Sequence, residues 1–88
     1  MIAMNKKVLK IDLGCGPNKK DGFIGMDILP LPGVEYVINL EEGFGFIESN
    51  SVNEFYTSHF LEHVQNFELI LSEIHRTLKP GGTCKIIV

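Results

Sequence analysis

Three scarcities narrow what this 88-residue chain can do. Cysteine occurs only at Cys15 and Cys84. Two residues so far apart make neither a disulfide framework nor a zinc ribbon, so free thiols are expected. No apolar run approaches the roughly 20 residues that span a bilayer, and the opening MIAMNKKVLK has no long apolar stretch after its lysines. Neither a membrane segment nor a signal peptide is therefore expected, and the cytoplasm is the default location. Positive charge is missing from the middle. Every Lys and Arg lies in residues 6–20 or 76–85, and the stretch between carries only acids. A surface that tracks a nucleic-acid backbone needs clustered cations, so no nucleic-acid partner is expected.

What is present reads as an ordinary globular chain, with 44% hydrophobic and 22% charged residues. A chain of this length is one domain, residues 1–88, and buries only somewhat more than about 60% of its unfolded surface. The segments alternate between strands and turns. VLKIDL (8–13) places Leu9, Ile11 and Leu13 on one face, while FIGMDI (23–28) and VEYVINL (34–40) are apolar or β-branched runs bounded by Gly and Pro. From Asn66 to Lys79 the residues Phe67, Ile70, Leu71, Ile74 and Leu78 recur at helical spacing. Glu68 stands in the first turn, Arg76 and Lys79 in the last, and Pro80-Gly81-Gly82 forms a stop. With VNEFYTS (52–58) before it and TCKIIV (83–88) after it, this is a strand, helix, strand unit and implies a parallel pair. Only nine residues separate the first two strands and five the next two, where parallel crossovers usually take about a dozen or more. Those crossovers must be bare loops. One sheet face would then lack a helical layer, and its apolar side chains would need another cover.

The most informative stretch is KIDLGCGPNKKDGFIGMDI, residues 10–28. Asp12, Gly14, Cys15 and Gly16 sit where a strand gives way to a glycine-rich turn, which lets backbone approach a ligand closely. Asp27 ends the next strand, where a carboxylate can accept hydrogen bonds from both hydroxyls of a ribose. The bland alternatives are a tight turn, a polar strand end, and an Asp12 buried against local backbone N–H groups. A dinucleotide fingerprint needs G-x-G-x-x-G opening a helix, but the third position here is Lys19 and PNKKDG is no helix. A nucleoside ligand without phosphate, carrying positive charge of its own, suits the turn better.

Taken in order, DLGCGPN, GMDI, VINL, SVNEFYTSHFLEHV and EIHRTLKPGG resemble the amino-terminal part of a class I S-adenosylmethionine-dependent methyltransferase of the small-molecule type, over residues 8–88. The resemblance implies an α/β fold, a Rossmann-like and mostly parallel sheet of about five strands in the order 3-2-1-4-5, truncated, with helices mainly on one face. It implies S-adenosylmethionine as cofactor, with Asp12, Gly14, Cys15 and Gly16 against the methionine half and Asp27 on the ribose. Asn39 and Leu40 would lie near the adenine, and Ser58 and His59 at the sulfonium end. Methyl transfer is an in-line displacement, so no dedicated base is compulsory, and His59 stays open as one.

Within the fourth of these motifs, His59, Glu62 and His63 also spell H-x-x-E-H. On a helix, positions 59 and 63 lie one turn apart and could share a zinc, but a third ligand is not identifiable. The family commonly has L-E-H here, so the two histidines are read as packing and turn-capping groups and no metal is expected. The chain departs from the family in lacking the helices after its first and second strands, in having Asn39 and Asn53 where aspartates are frequent, and in stopping at Val88 within the fifth strand. A sheet edge left open there favours self-association, and a non-catalytic S-adenosylmethionine-binding or interaction module stands as the alternative to an enzyme. The methyl acceptor is not legible.

Overall fold

The computed structural model describes residues 8–88, so most of the segment read for a signal peptide lies outside the described residues. Five strands form one sheet: β1 (Lys10–Leu13), β2 (Ile24–Asp27), β3 (Val34–Val37), β4 (Val52–Ser58) and β5 (Leu78–Ile87). Every pairing is parallel and the order is β3-β2-β1-β4-β5, the expected Rossmann-like arrangement. The single α-helix among the described residues, α1 (Phe67–Thr77), connects β4 to β5. From β1 the chain moves outward to β2 and β3, then crosses back to β4 on the other side. The order therefore switches direction between β1 and β4, and open α/β sheets bind ligands at the carboxyl ends of the strands beside such a switch.

Side-chain alternation sorts the sheet into two different faces. Ile11 pairs with Ile24 and Phe55, and Leu13 pairs with Met26. This face is apolar, and with Phe44, Ile47, Ile70 and Ile74 it forms the core. The buried apolar residues of the helix, Ile70 and Ile74, point into it. The other face carries Lys10 beside Glu54, and Asp12 beside Tyr56 beside Lys85. The crossovers 14–23 and 28–33 contain no helix, as their lengths require. The expectation that the bare face needs its apolar side chains covered is corrected here, because that face is largely polar. Its aromatic part is covered by the β1–β2 crossover, whose Phe23 meets Tyr56 edge-on at 6.1 Å while the Lys20 ammonium lies 4.8 Å over the Tyr56 ring.

The helix ends at Thr77, two residues before the periodicity does. Pro80 disfavours the α region at Lys79, and Leu78 is already extended and paired with Val52. The freed carbonyls of Arg76 and Thr77 accept the N–H groups of Asn50 and Ser51 on the approach to β4. Glu73 and Arg76 bind the preceding loop to the helix. Arg76 donates to both Glu73 oxygens, to the Phe44 carbonyl and to Ser49 Oγ, while the Phe44 N–H donates to Glu73 Oε1. Asn53, where an aspartate was expected, accepts the Leu9 N–H at 2.8 Å through Oδ1, a role an aspartate oxygen fills equally well. Among the described residues no helix is long and apolar enough to cross a membrane.

Candidate functional site

At the end of β1 the chain enters the left-handed region twice, at Gly14 (φ 63°) and Gly16 (φ 59°). That reversal carries it over the end of β2. The Gly14 and Cys15 N–H groups donate to the Met26 carbonyl, at 2.8 and 3.3 Å, and the Gly16 N–H donates to Asp27 Oδ2 at 2.8 Å. Asp27 Oδ1 accepts the Leu29 N–H at 3.1 Å. One carboxylate thus ties both the glycine turn and the β2–β3 crossover, and its two oxygens keep lone pairs for further donors. Asp12 secures the far end of the turn by accepting the Lys20 N–H at 2.9 Å. The turn lies flat because residue 25 has no side chain: the positions Cys15 Sγ and Lys19 Cδ occupy are those a Cβ at Gly25 would crowd. Glu35 completes the tie by accepting from the Gly25 N–H and from Lys19 Nζ.

Two hollows open beside this turn. The first, about 220 Å³, is lined by the apolar Ile28, Leu40, Phe60 and Val64 and by the polar Asp27, Asn39, Glu41 and His63. It continues into a wider groove past Glu41 toward Gln65 and Asn66. The second, about 210 Å³, is lined by Asp12, Gly14, Cys15, Asn18, Tyr56 and Ser58. The first is a mainly apolar slot that two carboxylates, Asp27 and Glu41, and the His63 imidazole also line. The second is polar, with one carboxylate, an amide and two hydroxyls. Asp12 is only 2% exposed, and burial raises its pKa above the ordinary carboxylate value, against the opposing pull of the Lys20 N–H and ammonium. Burial, and then the Asp12 and Asp27 carboxylates, push the Cys15 thiol up to about 11, so it stays protonated and is a poor nucleophile.

Of the residues singled out in the sequence, Asp27, Asn39 and Leu40 meet in the first hollow, and Asp12, Gly14, Cys15 and Ser58 in the second. Gly16 joins the two sets through its bond to Asp27. Asn39 spends its Oδ1 on the Glu41 N–H, capping the short 3-10 turn Leu40–Glu42. His59 lines neither hollow. It takes a left-handed φ of 56°, its N–H donates to the Ile87 carbonyl, and its side chain is 64% exposed. The reading of His59 and His63 as packing groups is corrected by their exposure, since Leu61 between them is the buried residue and His63 instead lines the first hollow. Residues 61–63 form a 3-10 turn rather than an α-helix, so the one-turn spacing that a shared zinc needs is not built, and Glu62 approaches both imidazoles, at 3.5 and 3.9 Å. Among the described residues no three His, Cys, Asp or Glu side chains converge as a metal site.

Sequence reasoning missed Ile28, Glu41, Phe60, His63 and Val64 in the first hollow and Asn18 and Tyr56 in the second. Ile28 and Val64 end motifs already singled out and Phe60 lies inside one, but nothing local marks its contact with Gly14, on which its ring lies across the fold. A family model described as methyltransferase domain matches residues 25–86, from β2 into β5. No curated protein and no solved structure matches the chain.

Proposed function

We propose, from the premise that this chain belongs to the methyltransferase domain family, that it binds S-adenosylmethionine along the glycine turn and transfers the cofactor's methyl group to an acceptor. The donor set fits that molecule at both ends. A nucleoside needs an apolar slot and an acceptor for its two ribose hydroxyls, which the first hollow offers in Ile28, Leu40, Val64 and Asp27. An amino-acid zwitterion needs an acceptor for its ammonium and donors for its carboxylate, which the second hollow offers in Asp12 and in Asn18, Tyr56 and Ser58. The Gly14, Cys15 and Gly16 amides are already engaged, so the turn contributes closeness of approach rather than free N–H donors.

When bound, S-adenosylmethionine supplies a methyl carbon activated by a sulfonium. What the chain supplies is orientation: Asp27 fixes the ribose end, Asp12 the amino-acid end, and Ser58 at the tip of β4 borders the space between. Holding reactants in line can account for about 7–11 kcal/mol of a barrier, so a base is not required. His59, turned outward, is given no part in the chemistry.

The observation that carries this reading is the Asp27 carboxylate, held by the Gly16 and Leu29 amides at the mouth of an apolar hollow. Calorimetric titration with S-adenosylmethionine and S-adenosylhomocysteine tests it. Both should bind, and Asp27→Ala should weaken binding about 10- to 100-fold, the worth of hydrogen bonds to a charged group. Binding indifferent to that substitution would remove the site. Turnover with a panel of acceptors then separates an enzyme from a module that binds the cofactor without using it.

A further inference from the structure

The two hollows share a partition. The Phe60 ring is a wall of the first hollow, Gly14 is a wall of the second, and the two residues are in contact. So close is the contact that a Cβ at Gly14 would fall 2.3 Å from Phe60 Cγ and Cδ1. His59 sets this placement. Its left-handed backbone and its bond to the Ile87 carbonyl turn the chain at the end of β4, so that the next side chain drops onto the glycine turn. The second hollow, about 210 Å³, is alone smaller than the roughly 300 Å³ at which small-ligand clefts begin. A ligand whose two ends occupy the two hollows must pass the line where Phe60 meets Gly14.

Building on the cofactor reading above, we infer that Phe60 is a selectivity gate for the site. With its ring on Gly14 the protein accepts a nucleoside alone, and a nucleoside carrying an amino-acid arm enters only when the ring lifts away. Gly14 is then required for the ring as well as for the turn. A side chain at that position would hold the gate off its seat even if the backbone could tolerate it. Phe60 acts on position and access; the bond-making atoms lie elsewhere.

The test compares adenosine, which needs one hollow, with S-adenosylmethionine, which needs both. In Phe60→Ala the ring's apolar seat on Gly14 need not be broken. A half-buried aromatic ring makes that difference about tenfold in affinity, so the ratio of the adenosine Kd to the S-adenosylmethionine Kd should rise by about that factor. Loss of the ring as a wall of the nucleoside hollow weakens both ligands together and cancels in the ratio. A second measurement leaves the packing in place: 4-fluorophenylalanine at position 60 should show a fluorine resonance that moves with S-adenosylmethionine and much less with adenosine. A ratio that is unchanged or falls, or a resonance that responds equally to both ligands, overturns the gate while leaving the cofactor site standing. If neither ligand binds the unsubstituted chain, the cofactor reading fails and the gate fails with it.

Discussion

Gly25→Ala sets two effects of opposite sign against each other, and the structure decides between them. Residue 25 does not have a left-handed φ, so alanine can adopt its conformation, and relieving glycine's backbone entropy in a strand is worth roughly 0.5–1 kcal/mol. Against this, the new Cβ would lie 2.7 Å from the Gly33 carbonyl oxygen, 2.8 Å from Cys15 Sγ and 3.0 Å from Lys19 Cδ. The lysine methylene and the thiol can swing away at little cost. The carbonyl belongs to the main chain at the entry to β3 and can move only with the crossover. Overpacking of this kind costs about 1–3 kcal/mol, so with the middle of each range the net result is a loss of about 1 kcal/mol, or a fall of roughly 4–8 °C in Tm for a domain this size. Thermal unfolding followed by circular dichroism measures it, with Gly45→Ala as control because a Cβ there meets nothing within 4 Å. S-adenosylmethionine binding should weaken in parallel, since Cys15 is displaced into the second hollow. If Gly25→Ala melts with the control and binds like the parent, the flat-lying turn is not what shapes the site.

Glu73→Ala strips the Arg76 guanidinium and the Phe44 N–H of a shared acceptor and should cost about 2 kcal/mol in urea unfolding at pH 7. Hydrogen bonds from Arg76 hold the Glu73 pKa below its ordinary 4.5, so this stabilisation is fully present above that value and fades as the pH falls through the lowered folded pKa; the gap between parent and variant should close in acid. Asp12 has the opposite sign. Its folded pKa is raised, so ionisation works against the fold, and stability is lost as the pH climbs from 3.8 through the folded value. Asp12→Asn should therefore be more stable than the parent at neutral pH and equal to it in strong acid, yet bind S-adenosylmethionine about 10- to 100-fold more weakly through loss of the ammonium's partner. A variant that is both more stable and binds as well would strip Asp12 of its place in the site.

Much of the fold was legible because it rests on local rules. Apolar runs bounded by Gly and Pro marked the strands, and the short gaps between the first three correctly required bare crossovers. The element ends were less legible, and each has a physical cause. β3 stops at Val37 rather than residue 40 because Asn39 turns its side chain to cap the next turn, and α1 gives way at Thr77 because Pro80 and the pairing of Leu78 favour extended chain. Seven of the candidate site residues line the two hollows, since strand ends at a switch point put them there whatever their individual chemistry. His59 went astray through a single backbone angle, and a left-handed histidine leaves no local mark in a sequence. The Phe60–Gly14 contact joins residues far apart in the chain, which neither periodicity nor spacing can register.

The polar sheet face and the way the glycine turn is held have one origin. Where a helix follows a glycine turn, its aligned amides hold the turn in place and favour an anion. Here no helix follows, and the turn is held by carboxylates instead: Asp27 on the Gly16 N–H, Asp12 on the Lys20 N–H and Glu35 on the Gly25 N–H. The amides of residues 14 to 16 are all taken. The Lys19 ammonium is paired with Glu35, and that of Lys20 lies over Tyr56, a wall of the second hollow, beside Asp12. The turn therefore offers an anion none of the aligned amides a helix would, and in the proposed reading its Asp12 and Asp27 carboxylates suit a ligand with a sulfonium and an ammonium. The short bare crossover that spares the chain a helical layer thus also leaves the turn fixed by carboxylates rather than by a helix terminus.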